Sequence, residues 1–341
     1  MIRIGLVGHG YWGPNLLRNF YECAKTEVKM VCDLSPNNLN KVLLKYPKIH
    51  ITVDYSELLK SKEIDVIVIA TPVGTHYELA LNALKSGKHV FVEKPLTNSS
   101  DQATRLINEA ENRNLILHVD HTFIYTTAVR KIYELVTNGT IGELFYYDSV
   151  RVNLGLFQHD VNVIWDLAVH DLSIMNYLIQ EKPIAVSATG MSHLSGNPEN
   201  TAYLTLHFNS STIAHIHVNW LSPVKIRQTL LSGSKKMLVY NDLEPIEKIK
   251  VYDSGVNTET NSKHRYEMLV GYRTGDVWSP NIRGTEALHD EIEHFVACVE
   301  EKKSTLSDGL AGLAVVRTSE AAIKSISLRG RPVDIETLEV I

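Results

Sequence analysis

A short apolar strand that runs straight into Gly8-x-Gly10-x-x-Gly13, followed at once by a helical pattern, limits what this chain can fold into more than any other feature. Ile2 to Val7 supplies the strand, and Leu16, Leu17 and Phe20 recur at helical spacing. The three glycines meet three different needs. Gly8 permits a tight turn, Gly10 lets backbone approach a pyrophosphate, and Gly13 lets the helix pack on the sheet. The free N–H groups of the helix's first turn then face an anion. Glycine-rich turns are common, so context decides. A second apolar run, Val28 to Cys32, ends in Asp33 about 20 residues past the last glycine, where a carboxylate reaches both ribose hydroxyls of NAD. The stretch therefore reads as a dinucleotide site with NAD as cofactor and Gly8, Gly10, Tyr11, Trp12, Gly13 and Asp33 around it.

At 341 residues the chain exceeds one compact core, and two domains are expected: 1–121 binding the dinucleotide and 122–341 serving substrate binding and oligomerisation, with the last helices packing back on the first domain. The formal net charge of −5, with no block of lysine or arginine, gives nucleic acid or a membrane surface no electrostatic foothold. Cys23, Cys32 and Cys298 are scattered and lack metal-type spacing, which fits a reducing compartment and no metal. A first strand at residue 2 leaves no room for a signal peptide, and no apolar run has membrane-span length, so a cytoplasmic protein is expected.

Strands and helices alternate through the first third. The continuous apolar run Asp65 to Ala70 is the kind buried on both faces of a parallel sheet. The pattern implies an α/β, doubly wound parallel sheet, whose ligands collect at the carboxyl ends of the strands. Gly8, Asp33, Thr71, Lys94 and Asp120 are thereby expected on one edge. Beyond residue 120, strand-like alternations at 144–153, 184–191, 201–209, 212–220, 225–232 and 236–240 read as a mainly antiparallel sheet, interrupted by a strong helix over 161–179. The stretch 253–276, polar with several glycines, reads as a loop.

Two constellations carry chemistry. Lys94 in Glu93-Lys94-Pro95 follows the fifth strand, and the proline restricts it to extended backbone. Taken alone it reads as a surface lysine in a strand-to-helix loop. On the strong helix, Asp166 and His170 lie four residues apart on one face, which Ser173 and Tyr177 continue. Such a pair is either an incidental feature of a solvated helix or a histidine tuned by a carboxylate for acid–base work near neutral pH. His215 and His217 share a strand face without a third metal ligand, so they read as a polar sheet face.

These pieces together resemble the Gfo/Idh/MocA oxidoreductases, which act on sugars, sugar derivatives and cyclitols. The resemblance spans essentially the whole chain: the glycine motif, Thr71-Pro72 with His76, Glu93-Lys94-Pro95, Asp166-x-x-x-His170, and Asp308-Gly309 before the last helix. It implies a Rossmann domain joined to an α/β domain whose open sheet forms a homo-oligomer interface, in a dimer or tetramer. It implies that Lys94 and His170, with Asp166, handle the hydroxyl proton of a small-molecule substrate, and that Thr71, Pro72, His76, Glu93, Lys94 and His121 border the cofactor. Many members carry an asparagine and an arginine after the sixth strand, where this chain reads Asp120-His121-Thr122-Phe123-Ile124-Tyr125. Gly10-Tyr11-Trp12-Gly13-Pro14-Asn15 and His121-Thr122-Phe123 are similar to the branch of nucleotide-sugar 3-dehydrogenases acting on UDP-N-acetylglucosamine or its uronic acid. Tyr125, Arg151, Asn153 and Trp165 are then the expected substrate contacts, and Lys225, Arg227 and Arg283 further candidate partners for a diphosphate or carboxylate. A dehydrogenase of an unlinked sugar or inositol, a non-catalytic NAD-binding regulator, and an NAD-dependent glycoside-cleaving enzyme stand as alternatives.

Overall fold

A computed structural model of the chain describes residues 1–155, 161–194, 197–257, 271–282 and 284–335. It divides into two units, the first holding Met1–Thr126 and Thr285–Glu320 and the second Thr127–Gly284 and Ala321–Ile341.

The first unit begins with strands β1 (Ile2–Val7), β2 (Thr26–Cys32), β3 (His50–Thr52), β4 (Val66–Ile69), β5 (His89–Glu93) and β6 (Leu117–Asp120). Between them run helices α1 (Gly13–Glu22), α2 (Pro36–Lys45), α3 (Tyr55–Lys60), α4 (His76–Lys85) and α5 (Ser100–Asn112). The strands pair in parallel in the order β3-β2-β1-β4-β5-β6. This order reverses direction between β1 and β4, the switch point where such sheets bind ligands. β4 reads Val-Ile-Val-Ile and is buried throughout because helices cover both faces of the sheet.

The second unit opens with α6 (Thr127–Thr137) and the long strand β7 (Leu144–Leu154). The expected strong helix is two pieces: Ile164–Ala168 is wound as a π-helix, and α7 (Val169–Leu178) continues as an α-helix. Strands β8 (Ala185–Met191), β9 (Thr201–His207), β10 (Ile213–Asn219), β11 (Leu221–Gly233), β12 (Met237–Asn241) and β13 (Ile249–Tyr252) follow. A small ladder of β14 (Gly255–Asn257) and β15 (Gly271–Arg273) precedes β16 (Val277–Trp278). The loop expected over 253–276 is thus partly paired at its described ends, and its centre lies outside the described residues. The large sheet is mainly antiparallel, as expected, with one parallel pairing, β10 beside β7. Within β11 the register shifts between Leu221 and Ile226, a stretch that contains Pro223, which has no N–H to give to a ladder.

The chain returns to the first unit with α8 (Ala287–Glu301), a helix beyond those expected, although Leu288, Ile292, Phe295 and Val296 carry its apolar stripe. Phe295 meets Phe20 and Phe91 edge to face, with ring centroids 6.4 and 5.3 Å away. Burying rings of this size contributes about 1.5–3 kcal/mol each. α9 (Gly309–Ser327) starts at Asp308, whose Oδ1 accepts from the Ala311 N–H at 2.9 Å. Just before it, the Val119 N–H donates to the Ser307 carbonyl at 2.8 Å and extends the sheet edge beside β6. A last strand, β17 (Val333–Asp334), pairs with β8.

Candidate active site

The turn from β1 to α1 has the geometry its glycines imply. Gly8 sits at φ 92°, a left-handed conformation, and a Cβ there would run into the Ala70 carbonyl. A Cβ on Gly13 would strike the Gly8 carbonyl oxygen, so this glycine is required by the turn's own backbone more than by helix–sheet packing. A Cβ on Gly10 would meet nothing within 4 Å, which leaves the loop open to a ligand on that side. Among the described residues, no acidic side chain sits in the first turn of α1 and no side chain caps it, so its N-terminus is left to an anion. Asp33, at the end of β2, accepts from the His9 N–H at 2.6 Å, the Ser35 N–H at 2.7 Å and Asn38 Nδ2 at 3.2 Å. Those donors hold the carboxylate beside the turn, with one acceptor site remaining for a ribose hydroxyl. Tyr11 is 91 % exposed. The turn and Asp33 fit the pyrophosphate and ribose of a dinucleotide.

The next strands add residues to the same edge. His76 was expected at the cofactor, but it is buried, with ring nitrogens 2.9 Å from the Pro95 carbonyl oxygen and 2.8 Å from that of Thr71. It ties the segments after β4 and β5 together and so positions both. Thr71 is half-buried, Pro72 exposed, and Lys94 is half-buried directly after Glu93, the last residue of β5. Trp12 contributes its indole differently from a cofactor contact: Nε1 donates to Asp120 Oδ2 at 3.1 Å.

Asp120 is the centre of a buried acid cluster. Glu93 and Asp120 are register partners across β5 and β6, and the Glu93 carboxyl hydrogen-bonds Asp120. Glu291 of α8 reaches Asp120 as well. Thr122 Oγ1 donates to Asp120 Oδ1. Three carboxylates this close cannot all ionise. Burial, then the charge of Asp120, pushes Glu93 well above the glutamate range, with Lys94 acting in the other direction. Burial and then Asp120 do the same to Glu291. Each glutamic acid is thereby shifted toward its protonated form, and the buried oxygens Glu93 Oε1 and Glu291 Oε2 have no other hydrogen-bond partner among the described residues. Trp12 and Thr122 give Asp120 two donors, and a carboxylate has room for two more. Beyond Glu291 the line continues through His118, whose Nε2 is 3.0 Å from Glu291 Oε1 and whose Nδ1 is 3.0 Å from Thr305 Oγ1. Burial holds His118 well below the histidine range. His121 is buried too; burial lowers it to about 4, against the pull of Asp120 and with the push of Lys94.

The expected substrate residue Tyr125 is fully buried in this region, its ring 6.1 Å from that of His118 and 5.5 Å from that of His294. It is a core residue of the first unit. Its burial against α8 is also why that unit extends to Thr126 and past the expected boundary at 121.

In the second unit, the π-wound segment carries Trp165 and Asp166, and α7 carries His170. π-Turns are rare and cluster at functional sites. Asp166 Oδ2 accepts from Trp220 Nε1 at 3.0 Å, a bond that fixes the carboxylate against the β10–β11 corner. The Gly155 N–H donates to the Trp220 carbonyl at 3.1 Å, and the Asn153 side chain lies beside Gly155. Ser173 does not extend a functional face as expected; its Oγ donates to the His170 carbonyl at 2.7 Å. Tyr177 stacks on Tyr133, centroids 4.5 Å apart.

Arg151, also expected to meet substrate, is buried and held by Asp171: Nε to Oδ2 is 2.6 Å and Nη2 to Oδ1 is 3.2 Å. Ser149 Oγ donates to the same carboxylate at 2.7 Å, and the Tyr147 hydroxyl donates to the Asp171 carbonyl at 3.3 Å. Residues 147, 149 and 151 alternate along β7 and so face α7 together. Burial opposes the Arg151 charge, and Asp171 more than restores it. The pair anchors the helix residue next to His170. Arg227 pairs with Asp242 at 3.3 Å, Lys225 is exposed, and Arg283 lies outside the described residues. On the sheet, His215 Nδ1 lies 3.4 Å from Asp148 Oδ1 and the His217 ring stacks on Tyr203 at 4.3 Å.

Spacing along the chain did not mark Asp120 as a hub, nor Glu291 and His118 as its partners. Glu291 sits on α8, which was not expected, and the register that sets Glu93 opposite Asp120 is a property of paired strands.

Residues 2–121 match the oxidoreductase family with an NAD-binding Rossmann fold that bears the name Gfo/Idh/MocA, and residues 129–239 match its C-terminal domain. The chain is 26% identical over 258 residues to the UDP-N-acetylglucosamine 3-dehydrogenase of Acidithiobacillus ferrooxidans, covering 74% of this chain and 76% of that protein. It is 23% identical over 343 residues to the myo-inositol 2-dehydrogenase of Thermotoga maritima, covering 95% and 96%. The solved structure of the Acidithiobacillus enzyme superposes with a TM-score of 0.81 at 22% identity, covering 97% of this chain and 99% of that one, a likeness of fold.

Proposed function

The chain belongs to the Gfo/Idh/MocA oxidoreductase family, and on that premise we propose that it oxidises a ring hydroxyl of a sugar to a ketone, at C3 of a UDP-linked N-acetylhexosamine or its uronic acid. NAD, when bound, supplies the acceptor for the hydride that leaves the carbinol carbon. The protein's part is to hold the dinucleotide at the β1–α1 turn and Asp33 and to manage the hydroxyl proton. We assign proton handling to Lys94 and to His170, with Asp166, fixed by Trp220, as the carboxylate on the helix of His170. The observation that carries the substrate class is the fate of the segment after β6. In the stretch where many members of the family carry an asparagine and an arginine, this chain has Asp120-His121-Thr122-Phe123-Ile124-Tyr125, of which Asp120, His121, Ile124 and Tyr125 are buried. Sugar hydroxyls are then held less by this segment, which favours a substrate anchored by a remote nucleotide. The similarity to a UDP-N-acetylglucosamine 3-dehydrogenase supports the same reading. A second reading, an unlinked inositol, is favoured by the near full-length similarity to an inositol dehydrogenase.

The open face of the large sheet presents Tyr146, Tyr203 and Ile213, and we place a subunit interface there.

The test is incubation with NAD and either UDP-N-acetylglucosamine or its uronic acid, with a keto-acid acceptor to draw the reaction forward and mass spectrometry for the 3-keto product. The expected product appears, and Lys94→Met and His170→Ala each lower turnover by about 10²- to 10⁴-fold with NAD affinity retained. Oxidation of inositol with neither nucleotide sugar turned over replaces the first reading with the second.

A further inference from the structure

We propose that the acid cluster at the ends of β5 and β6 retains a single negative charge, centred on Asp120, that makes the site discriminate in favour of oxidised over reduced nicotinamide. The sheet supplies the first support. In a doubly wound sheet the two halves of a dinucleotide lie over the two halves of the carboxyl edge. Asp33 at the end of β2 marks the adenosine half, and Asp120 at the end of β6 lies in the other. Two donors converge on Asp120, Trp12 from the glycine turn and Thr122, its register partner across the strands is Glu93, and burial beside Asp120 shifts both Glu93 and Glu291 toward their protonated forms. Such an arrangement stabilises one anion and excludes a second.

A second observation points outward from this place. His121, the next residue, is 2 % exposed, and neither ring nitrogen has a hydrogen-bond partner among the described residues. Buried polar atoms are nearly always matched, so a group from outside the protein completes the end of β6. The ring that undergoes redox change carries one positive charge when oxidised and none when reduced. A fixed anion in a low-dielectric setting lowers the energy of the first form and leaves the second nearly unaffected. Asp120 is in this sense a specificity-determining residue for the redox state of the cofactor, and it needs no contact with the substrate.

The inference rests on dinucleotide binding at the β1–α1 turn, and the experiment separates the two. Affinities for NAD⁺, NADH and ADP-ribose are measured by calorimetry on the wild type, on Glu291→Gln, and on the triple variant Asp120→Asn/Glu93→Gln/Glu291→Gln. The triple variant leaves no carboxyl to which the charge can move. ADP-ribose lacks the redox ring and reports whether the site is folded. The expected result is an unchanged ADP-ribose affinity, a ratio of NAD⁺ to NADH affinity that falls about tenfold in the triple variant, and a wild-type ratio in Glu291→Gln, which keeps the charge. The carbonyl stretch of a protonated carboxylic acid, present in the infrared spectrum of the wild type at neutral pH, is lost in the triple variant. An unchanged ratio in a triple variant that binds ADP-ribose overturns the proposal. So does an equal loss of all three ligands, which makes Asp120 a support of the Trp12 turn alone. A wild type that binds none of the three instead overturns the cofactor site itself.

Discussion

In the second unit, the buried Asp171 carboxylate is neutralised by a guanidinium in a two-bonded pair, whereas at the end of β6 in the first unit three carboxyls crowd together and burial beside Asp120 favours the protonated forms of Glu93 and Glu291. The first solution is fixed, since arginine keeps its charge at any working pH. The second is adjustable, because protons can be redistributed when a charge nearby changes. That difference matches the places involved: the ion pair anchors α7 from β7, and the proton-sharing cluster lies on the strand ends where ligands of such a sheet collect.

The largest effect that tests this contrast is removal of the guanidinium. Arg151→Met leaves Asp171 buried and uncompensated and is expected to cost about 3–5 kcal/mol in urea unfolding. Arg151→Met/Asp171→Leu should recover most of that loss, since apolar replacements of similar size often equal a buried pair. A single variant as stable as the wild type would show that the pair anchors nothing.

A middle-sized effect concerns Asp33, an anion kept at the surface by backbone N–H donors, a third way of holding a carboxylate. In the proposed cofactor site it accepts from a ribose hydroxyl and repels a 2′-phosphate, and on that proposal NAD should bind about 10- to 100-fold more tightly than NADP, the equivalent of one charged hydrogen bond. Asp33→Ser should erase most of the preference. Equal affinities for the two cofactors in the wild type would take Asp33 out of this role.

The smallest effect reads the protons directly. Glu291 binds its proton more tightly in the folded protein than in the unfolded chain. Between the ordinary glutamate range and its raised folded value the native state thus holds more protons than the unfolded state, and stability falls as pH rises. Glutamine has no such dependence. Melting temperatures of wild type and Glu291→Gln, followed from about pH 5 to about pH 9, should therefore diverge with the variant gaining as pH rises. The buried histidines have the opposite sign: His121, lowered to about 4, loses its contribution as pH falls from the histidine range toward that value, in both proteins alike. Parallel curves would mean that Glu291 is ionised already.

What the sequence disclosed and what it hid divide along the same line. The glycine turn, Asp33 and the strand ends are set by local backbone requirements, and local requirements are visible in spacing. Arg151 looked like a ligand contact because an arginine on a strand usually reaches solvent; its partner Asp171 lies on another element, and alternation alone does not say which face of β7 is covered. The four-residue spacing of Asp166 and His170 is visible in the sequence, but the π-winding through Asp166 leaves no mark in residue type. The acid cluster draws on residues 93, 120 and 291, which only the sheet register and the return of α8 bring together.

The return of α8 also sets a schedule for synthesis. The ribosome delivers β1 to β6 early, but the helix that closes their core, with Phe295 against Phe20 and Phe91 and Glu291 against His118, emerges only after most of the second sheet has been made. Until then the nascent first unit lacks the partners of Phe20, Phe91 and His118, and exposed aromatic surface of that kind is where incomplete domains associate wrongly. A chain stopped after residue 284 would be caught in that state. The dinucleotide-binding unit is therefore completed only after most of the second unit has been made, although most of its own sequence precedes that unit.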